Sequence, residues 1–142
     1  MLRNIPPILS PELLKIMREM GHGDVIVLAD ANFPGASNTN RLVRMDGTEV
    51  TDLLDAMLRF FPLDIYVKNP VYLMKPAPQD PTPPIWEDFA QLIKKNDEEN
   101  AFSEFELIER MDFYDFAKKA YAVVQTGTTA HYANICLKKG VL

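Results

Sequence analysis

The chain has 142 residues, 47% of them hydrophobic and 25% charged, which suits one packed domain and excludes a disordered chain. A formal net charge of -5 argues against a nucleic-acid partner, because phosphate recognition needs a basic face. A single cysteine, Cys136, rules out an intrachain disulfide, and no stretch approaches the ~20 apolar residues of a membrane span, so the cytoplasm is the expected compartment.

Met1 to Pro7 lacks the continuous apolar core of a secretory signal. Ser10-Pro11-Glu12 predicts a helix start: the serine oxygen accepts from a free first-turn N–H, and proline fits where its missing N–H is not needed. Leu13, Leu14, Met17 and Met20 recur at helical spacing, and Gly21 stops the helix. Val25 to Ala29 is a short β-branched apolar run, the pattern of a strand buried on both faces, and it ends at the charged Asp30. Residues 31–35 form a loop. A short strand follows at Arg41 to Met45, then a turn at Asp46-Gly47. A second helix begins at Val50 or Thr51, carries Leu53, Leu54, Met57 and Leu58 on one side, and ends at Pro62.

Ile65-Tyr66-Val67 and Val71 to Met74 read as strands. Pro76 to Pro84 holds five prolines among nine residues and must be loop, since proline fixes φ and removes donors. Trp86 to Lys95 is a third helix. Asp97-Glu98-Glu99 is a solvated charge run. Phe105 to Glu109 is a strand, Asp112 caps a helix from Phe113 to about Ala120, and strands follow at Tyr121 to Thr126 and Tyr132 to Leu137. Cys136, inside that last apolar run, reads as a buried structural thiol. Helices alternating with buried strands predict an α/β fold, one domain over residues 1–142 with a mixed sheet flanked by helices.

Three constellations carry polar chemistry. The first is Gly21-His22-Gly23-Asp24. Its imidazole titrates near neutrality between two glycines that permit close approach of a ligand; the alternative is a turn histidine with no role. The second is Asp30, at the expected carboxyl end of a central strand, where open α/β sheets bind ligands. It serves either to grip hydroxyl groups or to cap the following turn. The third is Arg110, Tyr114, Tyr132 and Asn134. Tyr132 and Asn134, two apart, face one side of a strand, and phenol and carboxamide groups both donate and accept. The chain has two histidines, His22 and His131, and neither HExxH nor a Cys–His cluster, so no metal site is expected. It also lacks GxGxxG, GxxxxGK[ST] and GxSxG, so neither a bound nucleotide nor a nucleophile elbow is signalled. Cofactor-free proton transfer is what remains.

Residues 8–15, Met20-Gly21-His22-Gly23-Asp24 and Asp30-Ala31-Asn32-Phe33-Pro34 resemble the opening of L-fucose mutarotases. The resemblance continues through Phe113-Tyr114, residues 117–124, Thr126-Gly127, Tyr132-Ala133-Asn134-Ile135 and residues 137–141, and is weakest between about Leu63 and Glu104. The chain is therefore identified as resembling the L-fucose mutarotase and D-ribose pyranase family. The resemblance implies an isomerase that interconverts the α and β anomers of a monosaccharide without metal or cofactor. It implies that His22 is the acid/base residue and that Asp30, Arg110, Tyr132 and Asn134 hold the sugar. Ribose pyranases carry histidine about where Arg110 stands, so Arg110 favours the fucose branch. The resemblance also implies a homo-oligomeric ring, a decamer in relatives, with the site near a subunit boundary. Two residues depart from the pattern: Ala133 stands for a usual glycine and sets a methyl beside the sugar, and Asn32 stands for a frequent histidine. Rival expectations are a ribose-type pyranase, a non-catalytic sugar-binding protein and a purely structural interaction protein.

Overall fold

The computed structural model describes the whole chain, residues 1–142. Helix α1 (Pro11–Glu19) begins as its sequence requires, the Leu13 N–H donating to Ser10 Oγ at 3.2 Å with Pro11 in the first turn. Strand β1 (Val25–Ala29) follows and is buried on both faces. Then come a single 3₁₀ turn (Gly35–Ser37), β2 (Leu42–Met45), α2 (Val50–Leu58), β3 (Val71–Met74) and α3 (Ile85–Asn96). The chain closes with β4 (Glu106–Ile108), α4 (Arg110–Lys119), β5 (Ala122–Thr126) and β6 (Ile135–Lys138). No helix is long and apolar enough to cross a membrane.

The six strands form one mixed sheet in the order β2-β5-β1-β6-β3-β4. Pairings of β2 with β5, β5 with β1 and β3 with β4 are parallel, whereas β6 pairs antiparallel with both β1 and β3. Five strands thus run one way and β6 runs against them. The carboxyl ends of β1, β3, β4 and β5 share one edge of the sheet with the start of β6. The start of β1 and the end of β6 share the opposite edge.

Successive side chains of β1 point to opposite faces, and each face is covered. Ile26 and Leu28 join a core built with Leu13 of α1, Leu53, Leu54 and Met57 of α2, and Phe89 and Ile93 of α3. Val27 and Ala29 join Phe33 and the α4 residues Phe113 and Ala117 on the other face. Burying each large apolar side chain of this kind stabilises the fold by about 1.5–3 kcal/mol. Cys136 is fully buried on β6, and burial pushes its thiol well above the ordinary range, as suits a structural cysteine. The α/β reading with a mixed sheet and flanking helices is therefore the observed architecture.

Three local expectations give way to tertiary structure. Ile65-Tyr66-Val67 is not a strand, because the Asp64 carboxylate accepts the Tyr66 N–H at 3.0 Å and turns the chain; Ile65 and Tyr66 are left exposed. Helix α4 starts at Arg110 rather than after an Asp112 cap. The Phe113 N–H donates to the Glu109 carbonyl at 2.8 Å, which places Asp112 inside the first turn, where its charge suits the helix dipole. The last strand begins at Ile135, since Tyr132 adopts a left-handed φ of 55° that no strand accommodates.

Candidate functional site

Asp30 directly follows β1, Arg110 opens α4 just after β4, and Tyr132 and Asn134 lead into β6, so the sheet topology delivers all four to one edge. There they line a pocket of about 240 Å³ together with Asn32, Tyr114 and His131. Phe33, Pro34 and Met74 supply its apolar wall. Three other hollows are larger, but this one gathers buried polar groups at the carboxyl ends of strands, the usual position for a ligand in an α/β sheet.

Asp30 is 5% exposed and clasped by Asn134. The Asp30 N–H donates to Asn134 Oδ1 at 2.8 Å, and Asn134 Nδ2 donates to Asp30 Oδ2 at 2.9 Å. The other carboxylate oxygen accepts the Asn32 N–H at 3.0 Å. Burial raises the Asp30 carboxyl above the usual carboxylate range, against the opposing pull of N–H donors from Asn32, Ala133 and Phe33 and of the Asn134 amide. The carboxylate can accept hydrogen bonds from hydroxyl groups, and its neighbours already fix its orientation.

Tyr132 and Asn134 line the pocket together, but not as two residues on one face of a strand, since both precede β6. The Tyr132 hydroxyl accepts the Ala77 N–H at 3.1 Å and donates to Asp80 Oδ2 at 2.6 Å, while its carbonyl accepts from Trp86 Nε1 at 3.0 Å. Ala133 is fully buried in the main core and does not line the pocket, so its methyl group packs inward rather than beside a ligand. Arg110 donates from Nε to the Tyr114 hydroxyl at 3.3 Å, and the Tyr114 ring packs on Phe33 at 5.8 Å.

His22 lies at the opposite edge. It follows α1 and precedes β1, with Gly23 after it at φ 86°, a conformation that favours glycine. Its Nε2 is 3.1 Å from Asp64 Oδ1, and its ring stands 5.5 Å from that of Tyr66. The His22 side chain is 45% exposed and the Asp64 side chain 2%. Burial pushes the Asp64 carboxyl upward, but the Tyr66 N–H, the hydrogen bond and charge of His22 and the charge of Lys138 outweigh it and hold the group below the usual range. The length of β1, about 13 Å at strand rise, separates His22 from the Asp30 pocket within one chain. The structure thus brings Asp30, Arg110, Tyr132 and Asn134 together and leaves His22 apart from them.

Several side chains of the two edges were not singled out from the sequence. Asp64 is the partner of His22; its signal is a lone acidic residue between the apolar Leu63 and Ile65. His131 and Met74 reach the pocket through loop and strand-end positions that only the assembled sheet defines. No group of three or more His, Cys, Asp or Glu side chains converges to hold a metal ion.

With this geometry in view, the sequence pattern of the RbsD / FucU transport protein family matches residues 3–142. The chain belongs to that family. It is 46% identical over 148 residues to the fucose mutarotase of Mus musculus, covering 99% of this chain and 95% of that protein. It is 46% identical over 142 residues to an L-fucose mutarotase of Actinobacillus pleuropneumoniae, covering 99% and 97%. Among solved structures, the fucose mutarotase of Streptococcus pneumoniae in complex with L-fucose superimposes with a TM-score of 0.93 at 48% identity, with 99% of both chains covered.

Proposed function

We propose that this protein is a sugar mutarotase that interconverts the α and β anomers of L-fucose by general acid/base ring opening and closing. The observation that carries the reading is the convergence of Asp30, Arg110, Tyr132 and Asn134 on one pocket in a chain of this family. A buried carboxylate, a guanidinium, a phenol and a carboxamide match a neutral ligand rich in hydroxyl groups. The pocket volume of about 240 Å³ suits a single monosaccharide.

Ring opening breaks the bond between the anomeric carbon and the ring oxygen. The anomeric hydroxyl loses its proton and becomes the aldehyde oxygen, and the ring oxygen gains a proton. Rotation about the adjacent carbon–carbon bond presents the other carbonyl face, and closure reverses both transfers. Two positioned proton-transfer groups suffice, and no metal or redox cofactor is called for. His22 is the first of them. Because it stands at the far edge of its own sheet, we assign it to the pocket of a neighbouring copy, so that the site forms between subunits of a homo-oligomeric ring. Exposed apolar side chains at both edges support such docking: Ile65 and Tyr66 beside His22, and Leu107 and Met111 beside Arg110. The compartment we assign is the cytoplasm.

Saturation-transfer NMR on a panel of reducing sugars tests the reading. L-fucose anomer exchange should rise well above background, and His22→Ala should lower it at least about tenfold, a conservative value for loss of one proton-transfer group. Sugar binding without faster exchange would make the protein a binding module instead. Faster pyranose–furanose exchange of D-ribose than of L-fucose anomers would move it to the pyranase branch.

A further inference from the structure

We propose that Asp80, in the proline-rich segment, is a positioning residue that fixes Tyr132 as a hydrogen-bond acceptor toward the sugar, an inference that rests on the mutarotase reading above. A phenol has one proton to donate and two lone pairs to offer. The Tyr132 proton is committed to Asp80 Oδ2 at 2.6 Å, the length of a charge-assisted bond to a carboxylate. One lone pair is taken by the Ala77 N–H at 3.1 Å. Tyr132 lines the pocket, and the hydroxyl it could offer a ligand keeps a single lone pair. A sugar hydroxyl facing it must therefore donate, as the anomeric hydroxyl does when the ring opens.

The segment is built to hold this arrangement. The Asp80 N–H donates to the Ala77 carbonyl at 2.9 Å, closing a turn that keeps both Tyr132 partners in register. Pro76, Pro78, Pro81, Pro83 and Pro84 restrict the backbone on either side of that turn. At its far end the Trp86 indole donates to the Tyr132 carbonyl at 3.0 Å. Tyr132 is thus clamped at its hydroxyl and at its backbone while it adopts a φ of 55°, a conformation that a non-glycine residue keeps only when its surroundings impose it. Nothing else in the molecule requires an acidic side chain at position 80, which is otherwise exposed.

A double-mutant cycle on L-fucose exchange tests the inference. Asp80→Ala should slow exchange about tenfold, since a small misplacement of a reacting group is costly. Its thermal midpoint should stay near that of the unaltered protein, because the residue is exposed. Asp80→Asn, whose carboxamide oxygen still accepts the phenol proton, should recover most of the rate. In a Tyr132→Phe background, Asp80→Ala should add less than about twofold, because the two residues act as one unit. Full activity of Asp80→Ala, an Asn variant no faster than the Ala variant, or losses that multiply in the double variant would each overturn the proposal. If the unaltered protein accelerates no sugar's exchange, the mutarotase reading fails instead, and the same cycle on L-fucose dissociation constants still decides the role of Asp80.

Discussion

Asp30 and Asp64 are both buried carboxylates, yet their environments push them in opposite directions. Burial dominates at Asp30 and raises it, despite the donors from Asn32, Ala133, Phe33 and Asn134. Hydrogen bonds from Tyr66 and His22 and nearby positive charge overcome burial at Asp64 and lower it. The linkage signs differ accordingly. Protonating Asp30 relieves a buried charge, so this group brings no loss of stability as pH falls. Asp64 contributes stability that is present above its unfolded value and is lost as pH falls through its depressed folded value. Acidification should therefore remove ionised Asp30 first, at a pH above the ordinary aspartate value of about 3.9, while Asp64 still supports the fold. L-fucose binding followed by calorimetry should weaken on this acid side while far-UV circular dichroism stays unchanged. Loss of binding only where the fold is also lost would show that Asp30 does not need its charge. Asp30→Asn, which keeps the shape, should bind weakly at every pH and show no such acid limb.

At the scale of elements, what could be read from local sequence depended on whether the residue that decides the structure lies nearby. Helix α1 is set by its own cap, stripe and stop, and β1 by a continuous run of apolar residues, so both stand where local reasoning puts them. Removing the cap oxygen with Ser10→Ala should cost about 1 kcal/mol, measurable by denaturant unfolding. The turn at Ile65 and the left-handed Tyr132 are decided by Asp64 and by the Ala77–Trp86 segment, which no window around those residues reveals. A similar long-range demand falls on Gly127 and Gly140. A methyl group at Gly127 would collide with the Asp46 carbonyl oxygen, and one at Gly140 with that of Leu63. Gly127→Ala should therefore destabilise by about 1–3 kcal/mol or more, because a backbone carbonyl cannot swing aside as a side chain can. A thermal midpoint unchanged in that variant would show that the turn after β2 yields freely.

The whole molecule determines where the candidate residues stand relative to one another. Of the five candidate site residues, His22, Asp30, Tyr132 and Asn134 stand in stretches that resemble the family and Arg110 does not, and the residues alone did not join Asp30 to Arg110, Tyr132 and Asn134. Only the sheet order, with β6 reversed between β1 and β3, explains why Asp30, Arg110, Tyr132 and Asn134 meet at one edge while His22 stands with Asp64 at the other. If His22 acts, it acts on the pocket of another copy, and that arrangement has a consequence a self-contained site lacks. His22→Ala and Asp30→Ala protomers should each be nearly inactive alone. Co-assembled in equal amounts at random, they should recover about a quarter of the normal activity, since that fraction of boundaries joins an intact His22 to an intact Asp30 pocket. A self-contained site recovers none, because every pocket then carries one lesion. Co-expression with two affinity tags, isolation of the mixed oligomer and saturation-transfer NMR on L-fucose distinguish the two cases. Mixed oligomers as inactive as the parent variants would confine each site to one chain and remove His22 from the chemistry, since its own pocket is out of reach.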